Sequence, residues 1–267
     1  MLDSHFNIMG VLNVTPDSFF DGGEYSNVAL AVQQALRMES AGANIIDIGG
    51  ESTRPGAADV EAEQELARVL PVIEAIRKQS DILISVDTSK AVVMKAAIEA
   101  GANIINDVRA LSEPGSMEAA ISLNVPVCLM HMRGQPRTMQ GAPLYQDVVQ
   151  EVLTYLVDQA QECACQGIKK ENIWIDPGFG FGKTLDHNLS LLKHLDRFVD
   201  TGYPVLVGMS RKTMIGAMLG VSVNERLAGS LALATIACLK GAAIIRVHDV
   251  EETAHVVKVC HAFKIAK

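Results

Sequence analysis

The stretch ILISVDTSKAVVMKAAIEAGANIIN, residues 82–106, contains the unit from which the chain is built. Ile82–Val86 is an apolar run before Asp87, Ser89–Ala100 has helical periodicity, Gly101 stops it, and Ile104–Ile105 opens a run before Asn106. Short apolar runs bounded by turn residues read as buried strands, and strands alternating with helices read as parallel βαβ units. The unit recurs in both directions. Upstream, Ile8–Leu12 ends at Asn13 and Ile45–Ile48 flanks Asp47; downstream, Val125–Met130 runs into His131 and Ile173–Ile175 into Asp176. Val205–Val207 leads into Gly208-Met209-Ser210-Arg211-Lys212, and Ile244–Val247 carries Arg246 and precedes His248. Eight such units predict an α/β fold, a (β/α)8 TIM barrel, with the polar residues gathered at the C-terminal strand ends.

A length of 267 residues and an apolar fraction of 49% suit one barrel, so residues 1–267 are expected to form a single domain. Helices are expected at Val28–Ala41, Val60–Gln79, Ser89–Ala100, Pro114–Leu123, Gln146–Gln166, Leu185–Phe198, Asn224–Lys240 and Glu251–Phe263. No apolar segment approaches the roughly 20 residues that span a bilayer, and Met1–His5 leads directly into a strand without a signal-peptide pattern. A cytosolic location without membrane attachment is the expectation. The net charge of −8 argues against a nucleic-acid groove, so any anionic ligand must be met by local cations. Cys128, Cys163, Cys165, Cys238 and Cys260 lack the spacing of zinc or redox motifs and read as reduced packing thiols.

Two long, Gly-bearing βα loops, Asn13–Asn27 and Gly49–Asp59, stand out as rim loops of the kind that close over substrates. Their residues carry a resemblance. Asn13-Val14-Thr15-Pro16-Asp17-Ser18-Phe19, Gly49-Gly50-Glu51-Ser52-Thr53-Arg54-Pro55-Gly56 and Asp176-Pro177-Gly178-Phe179-Gly180-Phe181-Gly182-Lys183 are each at a predicted strand end. With Ser210-Arg211-Lys212 and Arg246-Val247-His248-Asp249, they resemble the dihydropteroate synthase family in order and over nearly the whole chain. Phe20 departs from the pattern, standing where that family usually has a small polar residue.

The resemblance implies a transferase of folate biosynthesis, the class targeted by sulfonamides, in which para-aminobenzoate displaces pyrophosphate from 6-hydroxymethyl-7,8-dihydropterin pyrophosphate. A pterin edge presents adjacent donors beside an acceptor, and a buried site must satisfy them with carboxylates, an amide and a cation. By resemblance, Asp176 and Asn106 take the pterin's amino edge, Lys212 donates to the opposite edge, Asp87 faces developing positive charge, and Asp47 lies nearby. Arg246 and His248, two apart on a strand, are implied to hold the departing pyrophosphate, and Asn13 is implied to bind Mg²⁺. Ser210, read as beginning a helix, suits the benzoate carboxylate, while Phe19, Thr53, Arg54, Pro55 and Phe181 are implied to enclose its ring. The family resemblance also implies a homodimer.

Blander readings accompany these. Asp87 and Asp176 fit helix capping or turn formation, Asp47 fits strand-end bracing, Asn13 a turn, Phe181 core packing, and Arg246 a structural ion pair with a carboxylate such as Asp249. Gly178–Thr184 resembles a phosphate-binding loop, but Pro177 occupies the first glycine position of that motif. His131 between Met130 and Met132 gives no chelating geometry and reads as a rim histidine; His187, His194, His255 and His261 read as solvated or capping. Two other functions remain open at this level: a methyltetrahydrofolate-dependent methyltransferase, which needs the same pterin floor, and a silent pterin-binding paralogue.

Overall fold

Residues 6–15, 24–51, 60–134 and 143–266 are described by the structure, a computed structural model. Most of the two long rim loops, with Phe19, Phe20, Thr53, Arg54 and Pro55, lies outside the described residues.

Eight strands, β1 (Asn7–Asn13), β2 (Ile45–Gly49), β3 (Leu83–Asp87), β4 (Ile104–Asp107), β5 (Val127–Met130), β6 (Ile173–Asp176), β7 (Leu206–Val207) and β8 (Ile244–Val247), form one sheet in the order β6-β5-β4-β3-β2-β1-β8-β7. All neighbours are parallel. A bridge between Ile175 and Val205, with Ile175 N donating to Pro204 O at 2.9 Å, brings the two ends of the sheet together. The barrel therefore closes through the shortest strand. Alternation along each strand sorts the side chains. Met9, Ile45, Ile104, Cys128, Trp174, Leu206 and Ile244 form a separate apolar cluster inside the barrel, whereas residues such as Ile8, Ile46, Ile84, Ile105 and Leu129 join the larger core under the helices.

The inward positions one step further along are Asp47, Asn106, Asp176 and Arg246, two residues after Ile45, Ile104, Trp174 and Ile244. The same period that fills the lower barrel with apolar side chains thus lifts a polar set to the mouth. The surrounding helices are α1 (Glu24–Ser40), α2 (Ala62–Arg77), α3 (Ala91–Glu99), α4 (Ser116–Leu123), α5 (Val148–Cys165), α6 (Leu185–Lys193), α7 (Asp196–Val199), α8 (Thr213–Leu219), α9 (Leu227–Leu239) and α10 (Val250–Ile265).

Two differences from the sequence expectations have local causes. The helix expected over Leu185–Phe198 is broken at His194–Leu195; Leu195 at the break and Phe198 on the second piece are both fully buried. The segment after β7 does not begin a helix at Ser210: Arg211 has a positive φ of 57°, Lys212 is the N-cap, and α8 starts only at Thr213. Ser210 therefore does not stand at a helix N-terminus, and what it can offer a carboxylate is its hydroxyl.

Candidate active site

At the mouth, two acids share one guanidinium. Asp47, fully buried, accepts from Arg246 Nε at 2.7 Å and from Asn106 Nδ2 at 3.2 Å through the same oxygen, Oδ2. Arg246 Nη2 donates to Asp87 Oδ2 at 2.9 Å, so the cation bridges β2 and β3 from β8 while Nη1 takes no part in either contact. The expected structural partner Asp249 instead pairs with Arg211, through Nε at 2.9 Å and through Nη2. Burial, and then the Asp47 carboxylate, push Asp87 above the usual carboxylate range against the pull of Arg246. Asp47 Oδ1 is buried without a hydrogen-bond partner, an acceptor aimed into the polar layer.

Asp176 closes the other side. Its Oδ1 accepts from Gly178 N at 2.7 Å, and loss of solvent raises its pKa while Lys212 and Gly178 N draw it back. Lys212 donates to Phe179 O and stands 4.5 Å above the Phe181 ring centroid. Desolvation lowers its pKa to about 8, with Asp176 opposing and Arg246 assisting that shift. Gly208 lies beside both cations: a methyl there would make ordinary contact, 3.7 Å from Arg246 Cβ and 3.9 Å from Lys212 Nζ. A flat ligand between Asp176 and Lys212 would meet an acceptor on one edge and a donor on the other.

Ser210 and His248 form a second cluster beside Arg246. Ser210 Oγ lies 3.1 Å from His248 Nδ1 and accepts from His248 N at 3.2 Å. Desolvation first, then Arg246 and Arg211, hold His248 below the ordinary histidine range although it is exposed at the rim. Of the cations that act on His248, Arg211 is paired with Asp249 and Arg246 with Asp47 and Asp87, which leaves Lys212 as the third.

Among the described residues, no group of three or more His, Cys, Asp or Glu could hold a metal ion. Asn13 ends β1 with its Oδ1 facing the bare backbone of Gly49, where a methyl would stand 3.6 Å from it and 3.6 Å from Asp87 Cβ. One amide oxygen beside a carboxylate suits Mg²⁺, which keeps several waters and takes most other oxygens from phosphate. The donor set fits that ion and does not form a closed cage.

Residues 9–248 match the model of the pterin binding enzyme family. The chain is 56% identical to the dihydropteroate synthase of Escherichia coli K12 over 99% of its own length and 94% of that protein. It belongs to the dihydropteroate synthase family. Among solved members of this family, the Yersinia pestis enzyme with a sulfonamide drug superposes with a TM-score of 0.94 at 51% identity, covering 98% of this chain and 96% of that one. The Xanthomonas albilineans dihydropteroate synthase in complex with 7,8-dihydropteroate gives 0.90 at 45% identity, covering 99% and 95%.

In this member of the dihydropteroate synthase family, Asp47, Asp87, Asn106, Asp176, Lys212 and Arg246 converge on one mouth, Ser210 and His248 flank it, and Phe181 lines it through Lys212. Three buried charges escaped the sequence reading; one of them, Asp107, is fully buried and accepts from the backbone N–H groups of Arg109 and Leu111 at 2.8 Å each. Lys183, 3% exposed, is turned away from the mouth onto His131 and three carbonyls. Glu65, fully buried, pairs with Lys90 at 2.5 Å, and Lys90 also pairs with Glu51 at the base of the second rim loop. Glu65 was findable: it continues the apolar stripe Val69, Val72 and Ile76 of α2 at helical spacing.

Proposed function

We infer that this protein catalyses the dihydropteroate synthase reaction, the condensation of 6-hydroxymethyl-7,8-dihydropterin pyrophosphate with para-aminobenzoate to 7,8-dihydropteroate and pyrophosphate. The observation that carries this reading is the placing of a buried acceptor, Asp176, opposite a half-buried cation, Lys212, across a mouth that also holds Asp87 and Arg246. In this reading Asp176 and Asn106 take the pterin's amino edge and Lys212 the opposite edge. Asp47 holds Arg246 and Asn106 in register. Asp87 faces the pterin ring, where its carboxylate stabilises the positive charge that develops there. Arg246 Nη1 and His248 face the departing pyrophosphate, and Ser210 offers its hydroxyl to the benzoate carboxylate. Phe181 walls the benzoate ring together with Phe19, Thr53, Arg54 and Pro55.

Asn13 would hold Mg²⁺, which when bound neutralises pyrophosphate oxygens. A single domain over residues 1–267 carries the site, in a cytosolic homodimer. That no helix among the described residues is long and apolar enough to cross a membrane agrees with this location. Pyrophosphate release with each acceptor tests the reading: para-aminobenzoate is expected to support turnover. No pyrophosphate release with para-aminobenzoate, whether or not methyl transfer from methyltetrahydrofolate to a corrinoid acceptor is seen in a parallel assay, would overturn it.

A further inference from the structure

The glycine-rich loop after β6, which resembles a phosphate-binding loop in sequence, is wound around its own cation. Lys183 Nζ lies 2.9 Å from Gly178 O, 3.0 Å from Phe181 O, 3.0 Å from His131 Nδ1 and 3.2 Å from His131 O. Three ammonium protons therefore serve four acceptors in a buried space. Asn188, 2% exposed, adds a second hold: its Oδ1 accepts from Gly180 N at 2.8 Å and its Nδ2 donates to Thr184 O at 2.7 Å. The loop also cannot settle closer to β5. A methyl on Gly178 would come within 1.9 Å of His131 O, and one on Gly182 within 2.3 Å of Arg133 O.

The outer side of the same loop faces the mouth. Gly178 N donates to Asp176, Phe179 O receives Lys212, and the Phe181 ring lies under the Lys212 ammonium. Each of these three contacts is made by a residue whose backbone, or whose immediate neighbour's backbone, is bonded to Lys183 or Asn188.

We propose that Lys183, assisted by Asn188, is a positioning residue for the reaction: an internal ammonium that shapes the loop holding Asp176, Lys212 and Phe181, without itself touching substrate. The proposal rests on reading Asp176 and Lys212 as pterin-binding groups. Without the ammonium, the carbonyls of His131, Gly178 and Phe181 would face one another with no donor, and the loop would have to open. Charge acts alongside shape. The groups facing Asp176 are Lys212, Lys183 and Arg246, with the Cys128 thiol nearby, and Lys183 is one of the cations that lower its pKa. Burial first, then Lys212 and Arg133, lower the Lys183 pKa to about 7 against the pull of Asp176, so the ammonium is present throughout the acid range in which Asp176 titrates; the His131 ring also faces it. Removing the Lys183 cation raises Asp176, so the acid limb of pterin affinity moves to higher pH.

The test compares Lys183→Met, Asn188→Ala and Asp176→Asn by pterin calorimetry across pH and by KM for para-aminobenzoate, well below each melting temperature. Lys183→Met is expected to lose about tenfold or more in pterin affinity, to raise KM, and to shift the acid limb upward, because small misplacements of a preorganised site are costly. Asn188→Ala is expected to show smaller losses of the same kind with an unmoved acid limb. Wild-type affinity, KM and acid limb in folded Lys183→Met overturn the proposal. If that variant does not fold, wild-type affinity and KM in Asn188→Ala overturn it. Weakened binding in Asp176→Asn alone leaves the pterin reading standing and removes only the role of Lys183, whereas unweakened binding in Asp176→Asn removes the pterin reading itself.

Discussion

Exchanging Asp176 for Asn keeps an oxygen for Gly178 N but turns an NH₂ toward the ligand, where a pterin edge presents donors. A donor facing a donor in a buried site leaves both unpaired, and Asp176→Asn is expected to lose about 2–5 kcal/mol of pterin affinity in calorimetry with pterin alone. Unchanged affinity would take Asp176 out of the floor. Asp87 poses the opposite question, of function bought at the expense of stability. Its pKa rises on folding from 3.8 to about 8, so between those values the folded protein keeps a proton that the unfolded chain has released. Stability from this group is therefore complete below the lower value and is lost as pH rises through the upper one. Asp87→Asn, which still accepts from Arg246, is expected to melt higher than the wild type by a margin that opens between pH 4 and pH 8. It should also have lost turnover. A margin that stays constant with pH would contradict the raised pKa. The acids, the amide and Arg246 were legible in sequence because each lies in or just after an apolar run, whereas Lys212, five residues beyond Val207, was found through the family resemblance. Lys183 was not, because only the folded loop shows that its ammonium turns inward onto backbone carbonyls.

At the scale of elements, the loop after β6 depends on glycine where the backbone must approach another backbone. Gly178 combines a φ of +69° with the close approach to His131 O, whereas Gly202 has a φ of +78° with nothing within 4 Å of its missing Cβ. Gly202→Ala should therefore cost only the left-handed strain of about 1–2 kcal/mol. Gly178→Ala should cost clearly more, and should weaken pterin binding as well, because relief of the clash displaces the Asp176 contact. Urea unfolding of the two variants measures the difference; equal losses would show that the approach to β5 does not constrain the loop. The eight strands were readable because parallel strands buried on both faces are continuous apolar runs, and β8 coincides with its run at Ile244–Val247. Two helical details were not. Helix α8 has only seven residues, with Gly216 inside it, too short for a periodic signal; a methyl on Gly216 would displace the Arg226 guanidinium, whose Nη2 would lie 2.5 Å from it. The break between α6 and α7 has neither proline nor glycine at it, so no local residue announces it.

For the whole molecule, the period-two alternation divides the barrel into an apolar lower layer and a polar mouth, and a single chain supplies every described group of that mouth. The outside of the barrel is less self-sufficient. Helix α9, Leu227–Leu239, contains no charged residue anywhere on its circumference, although a helix on a barrel surface needs only one apolar face. Its outer side leaves Ile236 and Leu239 exposed, and the helices packed on either side of it add Met218 and Leu219 from α8 and Val259 and Phe263 from α10. Contiguous apolar surface of this kind is what a protein interface covers, and a two-fold pairing of like helices is the simplest arrangement that covers it in a homo-oligomer. The small exposed residues Ala228 and Ala232 would let two copies approach closely, whereas Gly229 is turned inward, where a methyl would come within 2.4 Å of Ile215 Cγ2 of α8. The expected outcome is that the wild type elutes as a dimer by size-exclusion chromatography with light scattering. Ile236→Glu, which places a charge in the centre of the buried patch, should shift it to monomer at micromolar concentration. Because the described mouth is complete within one chain, the monomeric variant should keep pyrophosphate release at low temperature while melting earlier. A wild type that is monomeric throughout, or an Ile236→Glu variant that stays dimeric, would move the interface away from α9 and leave its apolar circumference to be explained by some other partner.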